Sequence, residues 1–296
     1  SSGFIYHEDG LDMPTVLKLG AARRPLTEYE RVRHWDTILE GLPETDANIL
    51  VETTPTNLRD AEPGLSHIVT ALRMGAHVVT ANKGPGALAG TKLLALARQQ
   101  GVQLRMESSV MAGTPVLSTI VEGMAGVSVQ TVRGILNGTT NYILTAMAEG
   151  RAYADVLAEA QALGYAETDP TADVEGYDAL AKTLILAALV FNQPLKPEQV
   201  TLQGITALSI DDMQQAAKAG QRIKLIASIQ RNGEQLEARV APQALPLSDP
   251  LARVDGIINA LTIQSDTLPA VTVIGPGAGG IATAQGLLAD IIACVR

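Results

Sequence analysis

Between Asn48 and Met106 short apolar runs alternate with amphipathic ones, and few folds accept that order. Asn48–Thr53 (NILVET) reads as a buried strand, Pro63–Met74 as a helix stopped by Gly75, and His77–Thr80 (HVVT) as a second strand. Leu88–Gln100 reads as a helix with Gly101 behind it, and Val102–Met106 as a third strand. Strands separated by single helices need crossover connections, so the expected fold class is α/β, with a Rossmann-type, parallel, doubly wound sheet. Ligands of such sheets sit beyond the carboxyl ends of the strands. Thr53–Asn57, Asn82–Pro85 and Glu107–Thr114 are therefore the first candidate site segments. The residues before Asn48 are less regular: Ser1–Pro14 reads as loop, Thr15–Gly20 as a short helix, and Arg31–Leu42 as mixed with one more short helix.

Thr114–Ile120 starts a helix that leaves this sheet, and the pattern then mixes strands and helices. Strands are expected at Ser128–Ile135, Asn259–Gln264 and Ala270–Ile274, and a hairpin joins Ile223–Gln230 to Leu236–Val240 about Arg231-Asn232-Gly233-Glu234. Helices are expected at Tyr142–Ala148, Ala154–Leu163 and from Glu175 onward. This part reads as an α+β domain over 117–274, and 1–116 as a nucleotide-binding domain. GPGAGG at Gly275–Gly280 opens a last helix, Ile281–Cys294, expected to return to the first domain, so that 275–296 completes it. A glycine-rich turn between strand and helix suits close approach to a phosphate or to another backbone, which makes Gly277 a cofactor-binding candidate.

The chemistry concentrates in Gly164–Lys182, GYAETDPTADVEGYDALAK. Glu167, Asp169, Asp173, Glu175 and Asp178 crowd about a dozen residues, of which the part around Pro170 reads as loop and the part from Glu175 as helix, with Lys182 following on that helix. Asp178 and Lys182 are four apart and share a helical face. Such pairs are most often exposed, but Ile185–Phe191 is apolar on all sides, so this helix is core and its polar start opens on a cavity. Partial burial would lower the pKa of Lys182 while Asp178 would raise it. Lys83, just beyond HVVT after Ala81 and Asn82, stands where a parallel strand ends on the crevice, or is a solvated loop lysine.

Net charge is −9, which argues against nucleic acid or an anionic membrane as partner. The longest apolar run, Leu184–Phe191, is too short to span a bilayer, and SSGFIYHEDG does not read as a signal peptide. The single Cys294 fits a reducing, cytoplasmic setting. His7, His34, His67 and His77 have no ligand spacing, and there is no Walker A motif.

The acidic segment, ANKGP at Ala81–Pro85, ESSVMAGTPV at Glu107–Val116 and GILNGTTNYIL at Gly134–Leu144 together resemble homoserine dehydrogenases, in order and over essentially the whole chain. The resemblance implies NADP- or NAD-dependent hydride transfer between L-homoserine and L-aspartate 4-semialdehyde, on the way to threonine, methionine and isoleucine. It gives Lys182 the acid–base role on the substrate oxygen and Lys83 a polarising or relay role beside the nicotinamide. Glu167, Asp173, Asp178, Gly138, Thr139 and Tyr165 become substrate contacts, and Thr53, Thr54, Asn57, Lys83 and Gly277 cofactor contacts. It also implies a monovalent cation (Na or K) held by carbonyls of Glu107, Val110, Ala112 and Thr114; without it that turn reads as a tight strand-to-helix connection. A homodimer is expected, because the strands of 223–240 have edges to cover.

One departure from the family pattern stands out: no strand with GxGxxG precedes Ser1, and SSGFIYHEDGLD resembles the run after the family's second strand. The first strand, glycine loop, first helix and second strand are therefore expected to lie outside this sequence. No threonine-sensing module is expected after Arg296. Two other readings remain: a related amino-acid dehydrogenase, and a non-catalytic substrate-binding protein without the cofactor loop.

Overall fold

A computed structural model describes residues 3–296. The predicted alternation folds as a three-stranded parallel sheet in the order Ile49–Glu52, His77–Thr80, Leu104–Arg105, with Ile49 opposite His77 and Val78 opposite Leu104. Helices Gly64–Arg73 and Lys83–Gln99 make the crossovers. A second sheet has six strands in the order Val271–Pro276, Ile258–Ser265, Val129–Ile135, Gln221–Asn232, Gln235–Pro246, Val200–Leu202. Its pairs are antiparallel except the last, Val200–Leu202 beside Gln235–Pro246. The fold is thus mixed α/β with a Rossmann-like parallel sheet.

Helix Tyr177–Val190 lies between the two sheets. Ala179 to Ala188 are all buried, so the helix must be covered on every side. Helix Lys83–Gln99 covers one side through missing side chains: a Cβ on Gly86 would lie 3.2 Å from Ile185, and one on Gly90 would lie 2.9 Å from the Ala188 Cβ. The mixed sheet covers another, and Leu184, Ile185, Leu225, Ile229 and Val240 join one core with Val78, Leu93 and Met106 of the parallel layer. The last helix, Gly280–Cys294, packs on the 107–113 turn. Ser108 Oγ donates to Thr283 O at 2.8 Å, the Glu107 N–H donates to Asp290 Oδ2 at 2.8 Å, and a Cβ on Gly286 would meet the Ala112 carbonyl at 2.9 Å. Burial there pushes the Asp290 carboxyl up to about 6.

Several local expectations change. Residues Phe4–Tyr6 and Arg33–Trp35, the first within the expected loop, pair as an antiparallel ribbon, closed by the tilted contact of Phe4 on Trp35. The crossover helix starts at Lys83, five residues before the predicted Leu88, because the Asn82 side chain accepts from Gly84 N at 3.0 Å and caps it. The acidic loop holds a short helix, Thr171–Val174. The buried helix begins only at Tyr177, because Gly176 at φ 86° turns the chain. Helix Ile210–Lys218 and strand Val200–Leu202 had no counterpart in the sequence reading. The hairpin strands, Gln221–Asn232 and Gln235–Pro246, are interior, with Val129–Ile135 and Val200–Leu202 on their outer sides. The edges that motivated the dimer expectation are therefore paired within the chain. The open edges belong to Val271–Pro276 and Val200–Leu202. Among the described residues no helix is long and apolar enough to cross a membrane.

Candidate active site

A cleft of about 1080 Å³ opens where the two sheets meet. Helix Tyr177–Val190 brings Asp178 and Lys182 to its floor, and the first residue of helix Lys83–Gln99 brings Lys83. Lys182 Nζ lies 2.8 Å from Asp178 Oδ2, and Lys83 Nζ lies 3.3 Å from Asp178 Oδ1. Lys182 Nζ also donates to the Leu136 carbonyl at 2.6 Å. The Lys182 side chain is 7% exposed and that of Asp178 15%, so the pair that spacing alone would place on the surface lies at the bottom of the cleft. Lys83 opens a helix, not a loop, and its side chain is 28% exposed where it lines the cleft.

Asn137, from the GILNGTTNYIL segment, joins these groups. Its Oδ1 accepts from Thr140 N at 2.9 Å and caps helix Gly138–Ala148. Its Nδ2 donates to Asp173 Oδ1 at 2.7 Å and to Asp178 Oδ2 at 3.1 Å. The two carboxylates respond in opposite ways. Burial pushes Asp178 up, but the ammoniums of Lys182 and Lys83, with their hydrogen bonds and that of Asn137, hold it well below the usual carboxylate range. Asp173 is pushed up by burial, against the Asn137 hydrogen bond and with the Asp178 charge adding to the rise.

Gly138, Thr139, Tyr165, Glu167 and Gly277 line the same cleft. Thr139 Oγ1 donates to the Tyr165 carbonyl at 2.6 Å, and the Tyr165 ring stands edge-on to Tyr142 at 5.2 Å. Glu167 is exposed at the mouth. Thr53 and Thr54 line a second cavity of about 490 Å³ at the end of the first parallel strand. Buried Glu52 fixes that corner: it accepts from Thr54 N at 2.9 Å, from the Thr54 hydroxyl, and from Thr80 Oγ1 at 3.2 Å. Asn57 lines neither cavity and staples its own loop, donating to Asp60 Oδ1 at 2.6 Å and to the Glu62 carbonyl at 3.0 Å.

Glu107, Val110, Ala112 and Thr114 lie apart from both cavities, beneath the last helix. The Glu107 carboxylate accepts from Leu117 N at 2.7 Å and Ser118 N at 2.8 Å, and Thr114 Oγ1 donates to Pro276 O at 3.0 Å. Their side chains thus hold the turn together, and only main-chain carbonyls remain as ligand candidates. Ala112, at φ 47°, bends the turn sharply. The described residues contain no cluster of three His, Cys, Asp or Glu that could hold a metal.

Leu136, Asn137, Ile258 and Ala278 complete the site and were not foreseen as site residues. The one available signal was Asn137 three residues before Thr140, a capping pattern ahead of an apolar run.

A parallel sheet and a mixed sheet clamped on a buried helix, with lysines and carboxylates in the cleft between them, define an α/β enzyme acting on a small polar molecule. A family model for homoserine dehydrogenase matches residues 115–292. The NAD(+)-dependent homoserine dehydrogenase of Pseudomonas canavaninivorans is 43% identical over 98% of this chain and 83% of its own. A hyperthermophilic archaeal homoserine dehydrogenase, solved in complex with NADPH, superposes with a TM-score of 0.83 at 29% identity, over 99% of this chain and 85% of its own. The larger homoserine dehydrogenase of Thiobacillus denitrificans superposes with a TM-score of 0.80 at 38% identity, over 87% of this chain and 58% of its own. The chain belongs to the homoserine dehydrogenase family.

Proposed function

We propose that this protein interconverts L-homoserine and L-aspartate 4-semialdehyde with NAD or NADP. The observation that carries this reading is the single carboxylate, Asp178, held between two lysines in a cleft whose other walls suit an amino acid. The dinucleotide, when bound, supplies or accepts the hydride. The residues present fit it: Thr53 and Thr54 end the first parallel strand at a cavity of their own, and Gly277 lines the main cleft with backbone alone.

Lys182 has three donors, of which Asp178 and the Leu136 carbonyl take two, leaving one for a substrate oxygen. It gives a proton to that oxygen as the aldehyde becomes an alcohol, and takes it back in reverse. Asp178 orients both lysines. Glu167 and Asp173 receive the substrate ammonium. Asn137 caps Thr140 N, so the N–H groups of Gly138 and Thr139 at the head of the helix are left for the substrate carboxylate. The test is a panel of small amino alcohols with each dinucleotide, followed by nicotinamide absorbance. Turnover of L-homoserine above its analogues supports the reading, and turnover of none sinks it.

The Glu107–Thr114 turn is the candidate seat of a monovalent cation, through carbonyls alone, as hard cations prefer. Replacing K⁺ and Na⁺ by tetramethylammonium should then lower activity, and an unchanged rate would remove the cation from the scheme.

A further inference from the structure

We infer that Asn259 is a positioning residue that latches the Gly275–Gly280 turn when the dinucleotide binds. Asn259 stands on strand Ile258–Ser265, opposite Gly275 in register. It is fully buried, and neither Nδ2 nor Oδ1 has a hydrogen-bond partner among the described residues. Its amide presses against Gly277: a Cβ built there would fall on Asn259 Nδ2, Cγ and Oδ1. Gly277 is not among the residues with positive φ, so its backbone does not require glycine. Space requires it, and the Asn259 amide fills that space.

A buried amide with both ends unpaired does nothing for folding that a leucine of similar shape would not do better. What it provides is one donor and one acceptor directly beneath a turn whose opposite side, Gly277 to Gly279, lines the cleft. The stem of that turn is fixed, because Thr114 Oγ1 donates to the Pro276 carbonyl at 3.0 Å. Beyond the stem come Gly277, Ala278, Gly279 and Gly280, and glycine-flanked peptides rotate at low cost. A rotated peptide in this run can hand its C=O or N–H to the Asn259 amide. The same rotation turns other main-chain donors toward the cleft, where a dinucleotide offers carboxamide and phosphate oxygens. Asn259 thus acts through the turn and does not itself line the cleft. The inference rests on the reading of Gly277 as a cofactor contact.

The experiment compares Asn259→Leu and Asn259→Ala with the parent, in the full-length protein. It measures the melting temperature, the dinucleotide dissociation constant, and kcat and KM for each substrate. The expected result for Asn259→Leu is a melting temperature equal to or above the parent's, with dinucleotide affinity weakened about tenfold, the worth of one hydrogen bond. The rate at saturating dinucleotide and the KM for homoserine should stay within a few-fold. Asn259→Ala should show the same loss of affinity even if the leucine crowds Gly277. Unchanged dinucleotide affinity in both variants, with the parent binding normally, overturns the inference alone. A melting temperature that falls in both variants together with every kinetic constant overturns it in favour of a structural role. If the loss appears in homoserine KM with dinucleotide affinity intact, the turn does not belong to the cofactor, and the inference falls with that assignment. A parent that binds no dinucleotide overturns the proposed reaction itself.

Discussion

Lys182 and Lys83 reach opposite oxygens of Asp178, at 2.8 and 3.3 Å, so one carboxylate sets the position of both amines. Lys182→Ala should cost about 10²–10⁴-fold in kcat and in kcat/KM, the usual worth of a positioned acid–base group. Substrate affinity should fall much less, because Glu167, Asp173 and the head of helix Gly138–Ala148 remain. Steady-state kinetics with calorimetric substrate binding checks this, and a kcat within a few-fold of the parent would reduce Lys182 to an ion-pair partner. Asp178→Asn should have a different signature in pH. The folded carboxyl is depressed, so its stabilising contribution is present above the unfolded value near 4 and is lost as pH falls below it. Denaturant melts should therefore show the parent more stable than Asp178→Asn at pH 7, with the gap closing below about pH 4. A gap that stayed constant down to acid pH would mean the pairing is not electrostatic. The i,i+4 relation of Asp178 to Lys182 was legible in the sequence, because helical geometry is local. The Lys83 contact and the Asn137 bridges were not, because they join segments 36 to 95 positions apart and depend on how elements dock.

Among elements, the decisive contact is helix Lys83–Gln99 against helix Tyr177–Val190. It is close because Gly86 and Gly90 present no side chains to Ile185 and Ala188. Gly90→Val would push the pair apart and should cost about 1–3 kcal/mol of stability, the usual range for overpacking. The same displacement should lengthen the Lys83–Asp178 ion pair, so kcat should fall along with the melting temperature. Full activity in a variant measurably destabilised would show that the helix spacing does not govern the site. The alternation of strands and helices in 48–106 was readable because period and length separate the two types. Helix starts were less readable. Glycine and proline after Lys83 imitate a loop, and only the Asn82 cap reveals that the helix has already begun. Helix Ile210–Lys218 carries a capping box, Ser209 with Asp212, which was an available signal.

At the scale of the whole molecule, the mixed sheet still ends in an open edge at Val271–Pro276, where Ile274 is 56% exposed. The helix that follows exposes Ile281, Leu288 and Ile292. An uncovered strand edge beside apolar side chains favours pairing with a second copy. A homodimer is therefore predicted, with light scattering at micromolar concentration as the check. A monomeric mass there, or a dimer untouched by Ile274→Lys, would count against this surface. This placement differs from the strand edges of 223–240 on which the sequence-based expectation rested, because strand order within a sheet is not written in any one strand.

The return of helix Gly280–Cys294 to the 107–113 turn has a consequence for how the protein is made. The Glu107 N–H finds its Asp290 acceptor 183 positions later. During synthesis the parallel strands leave the ribosome long before that acceptor, and Gly277 is not yet joined to the cleft it lines. The 107–113 turn must wait, uncovered on that side, until helix Gly280–Cys294 has been made. A nascent chain released before residue 275 would carry Lys83, Asp178 and Lys182 and still lack one wall of the site.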